Sequence, residues 1–238
     1  MRPAARLIAL GLLLGLLTAA PPAGADDAGS CDRAWFGPAL DIETDTPTEY
    51  AGRLGASPSL YTFPVDYPLT EEGTDQLRRF AADAATQGAV LVVQVEPTVR
   101  LGRLGAADAD ELAALLADLH ERLDTRALVR FAPEMNGSWR PWGQQPGAFK
   151  AAFRVVADAV HDAAAPAAMV WSPVYGSGYP FGREQGTDSA LDGKGDRRLA
   201  AGDDPYGPYY PGDDAVDWVG LFLYRFGQSQ GVRRNVLP

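Results

Sequence analysis

The sequence predicts an α/β fold built on a parallel sheet with helices packed against it. Short β-branched runs alternate with amphipathic stretches of helical period along most of the chain, and that alternation is the signature of strands joined by helical crossovers. The 238 residues lie close to the roughly 250 of a single closed (β/α)8 barrel. An open doubly wound sheet fits the same alternation. No predicted strand, however, is followed by the glycine-rich phosphate fingerprint common in such sheets, which favours the barrel.

Residues 1–25 read as a segment outside this fold. Arg2 and Arg6 form a positive start, Leu7 to Ala20 is apolar, and Ala23-Gly24-Ala25 is a small-residue cleavage site, the pattern of a secretory signal peptide. The 14-residue apolar run falls short of the about 20 residues that a membrane span needs. The expected organisation is therefore a signal peptide at 1–25, a linker at 26–34 and a barrel domain at 35–238, exported from the cell. Ala28-Gly29-Ser30-Cys31 faintly resembles a lipoprotein box, which makes lipid anchoring at Cys31 a secondary route.

The predicted elements follow in order. Trp35 to Ile42 is an apolar strand run ending at Glu43. Thr46 to Leu54 is a short helix with Thr46 as cap and Pro47 at its first position. Ser59 to Phe63 is a second strand. Thr70 to Gln87 is an amphipathic helix with Leu77, Phe80 and Ala84 on one face and Gly88 as terminator. Ala89 to Val95 is a buried-type strand ending at Glu96-Pro97. Asp108 to Leu123 is a helix striped by Leu112, Leu115, Leu116 and Leu119. Ala127 to Met135 is a strand, Pro146 to Ala165 a helix, and Ala167 to Val174 a strand. Tyr175 to Asp214 is a long loop rich in Gly, Asp, Pro and Tyr, with Asp188, Asp192 and Asp196 in its middle. Val216 to Tyr224 is the sixth strand.

Composition narrows the function. A net charge of −10 argues against nucleic acid, whose phosphates require a basic footprint. One Cys and two His leave too few ligands for a structural zinc site. His120 and His161 fall late on helices and read as surface residues.

The densest chemistry is Arg130-Phe131-Ala132-Pro133-Glu134-Met135-Asn136-Gly137-Ser138-Trp139-Arg140-Pro141-Trp142-Gly143. Strand periodicity puts Arg130, Ala132 and Glu134 on one face, with Glu134 at the carboxyl end. Active sites of α/β barrels lie at that end. A carboxylic acid between a proline and apolar neighbours suits a general acid. Asn136 offers both donor and acceptor to a hydroxyl. Trp139 and Trp142, in a Pro- and Gly-containing loop, can stack on the apolar faces of sugar rings. Arg130 faces inward, where a guanidinium needs an acidic partner; its expected use is to hold a carboxylate of the site. Glu43 and Glu96 end strands on the same rim.

This segment resembles the acid/base motif of glycoside hydrolase family 26, known for β-mannanases. Val95-Glu96-Pro97, Val170-Trp171-Ser172-Pro173, Tyr209-Tyr210-Pro211-Gly212-Asp213 and Val216 to Tyr224 resemble further segments of that family in order. The resemblance runs from about Trp35 to the chain end. It implies a (β/α)8 barrel of TIM-barrel type that cleaves β-1,4-mannan or a related polysaccharide with retention. Glu134 would be the acid/base. Glu96, Arg130, Asn136, Trp139, Trp142, Trp171 and Tyr224 would bind substrate. Retention needs a second carboxylate as nucleophile, which the family carries at the end of its seventh strand. Residues 225–238 contain no Asp or Glu, so about six of the eight strands are expected in this chain, without that nucleophile. A further departure is Pro133, where many relatives carry histidine. No cofactor or metal is implied, and the expected partner is a polysaccharide or oligosaccharide bound by a monomer. A carbohydrate-binding remnant without hydrolysis is the alternative.

Overall fold

The computed structural model describes residues 34–163, 166–181 and 202–224. The predicted signal peptide, Cys31, the aspartates at 188, 192 and 196, and the tail at 225–238 lie outside the described residues. The chain divides into two compact units, residues 1–34 and 35–238, and every element below belongs to the second.

Among the described residues, four α-helices alternate with the first four of five strands: α1 (Pro47–Leu54), β1 (Leu60–Tyr67), α2 (Glu71–Thr86), β2 (Val90–Pro97), α3 (Ala106–Leu123), β3 (Ala127–Phe131), α4 (Pro146–Asp162), β4 (Ala167–Trp171) and β5 (Trp218–Val219). The strands form one sheet in sequence order, parallel throughout. That is the stepwise βα winding of a barrel; in an open doubly wound sheet the strand order reverses partway.

The helix starts follow local capping chemistry. The Thr46 and Thr70 hydroxyls accept N–H bonds from Glu49 and Gly73, closing the first turns of α1 and α2. In α3 the Asp108 carboxylate reaches back to the Gly105 N–H at 2.9 Å, which starts that helix two residues before the predicted Asp108. Gly88, at φ 65°, ends the turn after α2 in a conformation that side chains disfavour.

The alternation of side chains along a strand sorts the sheet into two faces. Tyr61, Phe63, Val65 and Tyr67 of β1, Leu91, Val93 and Val95 of β2, and Val129 and Phe131 of β3 are buried in one core with the helices. Phe131 lies at its centre, with ring centroids 6.0 Å from Tyr67, 6.3 Å from Phe149 and 6.2 Å from Phe153. The opposite face carries Thr62 and Asp66 of β1, Gln94 and Glu96 of β2, and Arg130 of β3, grouping polar residues toward the carboxyl ends.

Two predicted strands are corrected. Trp35 to Ile42 forms no regular strand: it meets β1 through an isolated bridge, Ala39 to Thr62, and a bond from the Leu60 N–H to the Phe36 carbonyl at 3.4 Å. Pro38 lacks an N–H, and the chain turns back at Asp41, whose carbonyl accepts from Thr44 and Asp45. β1 in turn runs past the predicted Phe63 through Pro64. Thr62 donates to the Pro38 carbonyl, so Pro64, two residues on, directs its missing donor to an edge where that pairing has ended. The last strand shortens to Trp218–Val219 and continues beside β4 through the bridge between Val174 and Phe222.

The ends of the long loop are built into the fold. The Tyr179 and Tyr209 hydroxyls meet at 3.0 Å in a buried contact. Asp217 ties the start of β5 to its neighbours, accepting the Met169 N–H at 2.6 Å and facing the His161 ring at 2.9 Å. His161 is exposed, as expected, and its contact with Asp217 links α4 to β5 at the surface. Trp35 stacks on Trp218 with centroids 6.2 Å apart. Val219, Leu221 and Leu223 are exposed.

Truncating the central ring gives the sharpest stability test. Phe131→Ala is expected to cost about 3–5 kcal/mol, read from the midpoint of urea unfolding followed by circular dichroism.

Candidate active site

β3 ends at Phe131, four residues before the predicted Met135. The chain then reverses through two residues in the left-handed region, Ala132 at φ 43° and Glu134 at φ 59°. Each such non-glycine residue costs on the order of 1–3 kcal/mol and persists only where its surroundings fix it. Those surroundings are explicit. Ala132 N–H donates to the Val95 carbonyl at 2.9 Å, and Glu134 N–H donates to the Ser172 carbonyl at 2.9 Å. Pro133 between them has no N–H to satisfy. The Trp142 indole donates to the Pro133 carbonyl at 2.9 Å, and Gln144 N–H donates to the Met135 carbonyl at 2.7 Å. Gly143 completes the turn, because a Cβ there would lie 2.1 Å from the Gly137 carbonyl oxygen.

Glu134 reaches the carboxyl rim of the sheet by this reversal and not by strand alternation. Its side chain is 1% exposed. Oε2 accepts from the Trp139 indole at 2.8 Å and from Arg140 Nε at 3.0 Å. Oε1 is buried without a hydrogen-bond partner among the described residues. The same Arg140 places Nη1 3.8 Å from Glu96 Oε1, an oxygen that also accepts from Gln94 Nε2. The Arg140 guanidinium lies 5.3 Å above the Trp142 ring centre. The result is a strip of charge across the rim, from Glu134 through Arg140 to Glu96.

The other predicted site residues divide into two groups. Near the rim, Trp139 is half exposed and packs edge-on to Phe181 at 5.0 Å. Tyr224 is exposed and stacks on Phe222 at 6.3 Å. Arg130 is on the polar face of the sheet, its guanidinium 4.9 Å from the Phe222 ring centre. Burial lowers the pKa of Arg130, while the charges of Glu134 and Glu96 pull it back up. The expectation that Arg130 directly holds a carboxylate is corrected: among the described residues Arg140 makes the ion pair with Glu134, and Arg130 Nε is buried without a hydrogen-bond partner.

The second group sits in the core. Asn136 is fully buried, and its amide is closed onto one residue. Nδ2 donates to the Val174 carbonyl at 2.9 Å and Oδ1 accepts the Val174 N–H at 2.9 Å. Its expected contact with a sugar hydroxyl gives way to tying the reversal onto the end of β4. Trp142 is also a core residue, held by Pro133 beneath Arg140. Trp171 is buried edge-on to Tyr210 at 5.2 Å. Alternation puts it with Met169 in the core, away from the polar face. Glu43 lies outside the rim, in a groove of about 560 Å³ between α1 and α2.

Three residues escaped the sequence reading. Arg140 stands inside the motif, and a cation six positions after a buried acid was the available signal. Phe222 lies two residues before Tyr224, on the same face by alternation. Asp66 sits opposite Glu96 in the β1–β2 register, a placement visible only once the strands are paired. Among the described residues no cluster of three or more His, Cys, Asp or Glu could hold a metal ion.

A parallel βα sheet carrying a buried carboxylate, a second carboxylate and an exposed tryptophan at its carboxyl rim has the layout of a barrel glycosidase. The chain matches glycosyl hydrolase family 26 over residues 63–237, and it belongs to that family. Among solved structures it is similar to GH26A from a Muricauda species, at 16% identity and a TM-score of 0.52, covering 79% of this chain and 67% of that one. It is likewise similar to a double mutant of the Cellulomonas fimi endo-β-1,4-mannanase, at 22% identity and TM-score 0.52, covering 79% and 46%. The GH26 domain of a Prevotella bryantii endo-β-mannanase/endo-β-glucanase gives 12% identity and TM-score 0.54, covering 80% and 67%. At these identities the likeness is one of fold, and the chain spans about half to two thirds of those proteins. No curated protein matches the sequence.

The Asn136 clamp predicts a stability effect. Asn136→Leu leaves the Val174 N–H and C=O unpaired and is expected to cost about 1–3 kcal/mol for each group, measured by chemical unfolding against wild type.

Proposed function

We propose that this protein is an exported glycoside hydrolase that cleaves β-1,4-linked mannan or a related β-linked polysaccharide by a retaining mechanism. The observation that carries the reading is Glu134. It is a carboxyl group almost fully buried at the carboxyl rim, with one oxygen held by Trp139 and Arg140 and the other unpartnered. Such a group can protonate the glycosidic oxygen as the bond to the anomeric carbon breaks. It can then take a proton from the water that attacks the glycosyl intermediate. Trp139, half exposed beside it, offers an indole face to a sugar ring. Glu96, Arg130 and Tyr224 face the same region and serve to bind and orient hydroxyls. No cofactor enters this chemistry, and the protein acts as a monomer. The Arg2–Ala25 segment supports export.

The nucleophile of a retaining enzyme is a second carboxylate roughly 5–5.5 Å from the acid/base. One observation favours a second reading: Glu134 Oε2 is closed onto Trp139 and Arg140 while Trp139 stays half exposed beside it. In that reading the chain binds oligosaccharide at the rim without hydrolysing it.

Incubation with β-1,4-mannan, with reducing ends counted and oligosaccharide binding followed by calorimetry, separates the two. Wild type is expected to release reducing ends. Glu134→Gln is expected to lose about 10²–10⁴-fold of that rate while still binding. Hydrolysis at the wild-type rate by Glu134→Gln overturns the assignment. Binding by wild type without any reducing ends establishes the second reading.

A further inference from the structure

Resting on the assignment of Glu134 as acid/base, the geometry points to Arg140 as the positioning residue that commits Glu134 Oε2 and leaves Oε1 as the atom that exchanges the proton.

A carboxyl group used as acid and then base must present one oxygen to the substrate. In Glu134 the two oxygens differ completely. Oε2 takes two N–H donors, from Trp139 at 2.8 Å and Arg140 at 3.0 Å. A proton on Oε2 would be forced among those donors, and a sugar oxygen cannot approach it without displacing them. Among the described residues Oε1 has no partner although it is buried. Buried polar atoms are nearly always satisfied, so an orphan of this kind points to a function or to an absent ligand. The proton given to the leaving sugar therefore sits on Oε1 and is taken up there again from water.

Arg140 is built to hold this asymmetry. Its Nε bonds Glu134, its Nη1 lies 3.8 Å from Glu96 Oε1, and its plane rests 5.3 Å over Trp142. Glu96 is itself fixed by Gln94. A planar guanidinium held at separate points cannot swing without breaking several contacts, whereas a lysine ammonium provides charge without the fork. Arg140 acts through Glu134 and does not touch the reacting atoms.

The test compares two substrates that differ in their need for the proton. A 2,4-dinitrophenyl β-mannobioside departs without protonation; mannopentaose does not. The quantity read is kcat/KM, which reports the first, bond-breaking step. In Arg140→Gln, kcat/KM for mannopentaose is expected to fall about 10-fold or more, a share of the roughly 10²–10⁴-fold that general acid catalysis supplies. The aryl substrate is expected to change by less than about 3-fold, because its leaving group needs no proton. Arg140→Lys should show the same selective loss in smaller measure. Should Arg140→Gln fail to melt cooperatively, Arg140→Lys decides alone: selective loss supports the positioning role and equal loss overturns it. Equal losses on both substrates, or no loss on either, overturn the proposal while the acid/base assignment stands. If wild type cleaves neither substrate, or Glu134→Gln cleaves mannopentaose at the full rate, the assignment itself falls and the positioning role falls with it.

Discussion

The reversal of the chain after Phe131 sets the rest of the rim. Two non-glycine residues in left-handed conformations flank Pro133, and both cost free energy. They are held because Ala132 bonds back to β2 through Val95 while Glu134 bonds forward to Ser172 beyond β4. One short segment therefore stitches three neighbouring strands at their carboxyl ends. The same twist swings the Glu134 side chain off the strand and buries it against Trp139 and Arg140. Asn136 and Trp142 lock the turn from below with buried hydrogen bonds to Val174 and Pro133. The strain in the backbone and the burial of the carboxylate share one physical cause.

The parallel sheet makes such a rim possible. With the helices covering one face, alternate side chains are driven into a common core of aromatic and branched residues. The other set is free to be polar where the strands end. Gln94, Glu96 and Arg130 occupy that set on neighbouring strands. Their mutual arrangement is electrostatic: Glu96 is held by Gln94 and drawn to Arg140, and Arg130 feels both glutamates while resting on Phe222. A carboxylate at 1% exposure requires a counter-charge close by, and Arg140 supplies it.

Much of the framework was legible because helices announce themselves locally. Thr46 as cap with Pro47 after it, the leucine stripe of α3 and Pro146 at the start of α4 are each legible in a few residues. Strand ends were harder. Period-two alternation continues on paper through Ala132 and Glu134, and nothing local to Ala132 or Glu134 reveals a left-handed turn in a non-glycine residue. The motif around Glu134 stands out in the sequence, but which of its polar residues faces solvent depends on contacts distant in sequence. Asn136 reads as a sugar ligand until Val174, 38 positions away, is seen to take both ends of its amide. Trp171 reads as a cleft residue until the register places it with Met169. Arg140 was overlooked because an arginine in a loop reads as a solvated charge, and only the fold brings it between two carboxylates.

Carbohydrate cleavage with retention at Glu134 is the central claim. Its most direct measurement is the anomeric form of the first product, followed by proton NMR within the opening minutes of mannohexaose hydrolysis. A retaining double displacement releases the β-anomer first, with the α-anomer growing only as mutarotation proceeds. Initial release of the α-anomer, or no new anomeric signal, would contradict it.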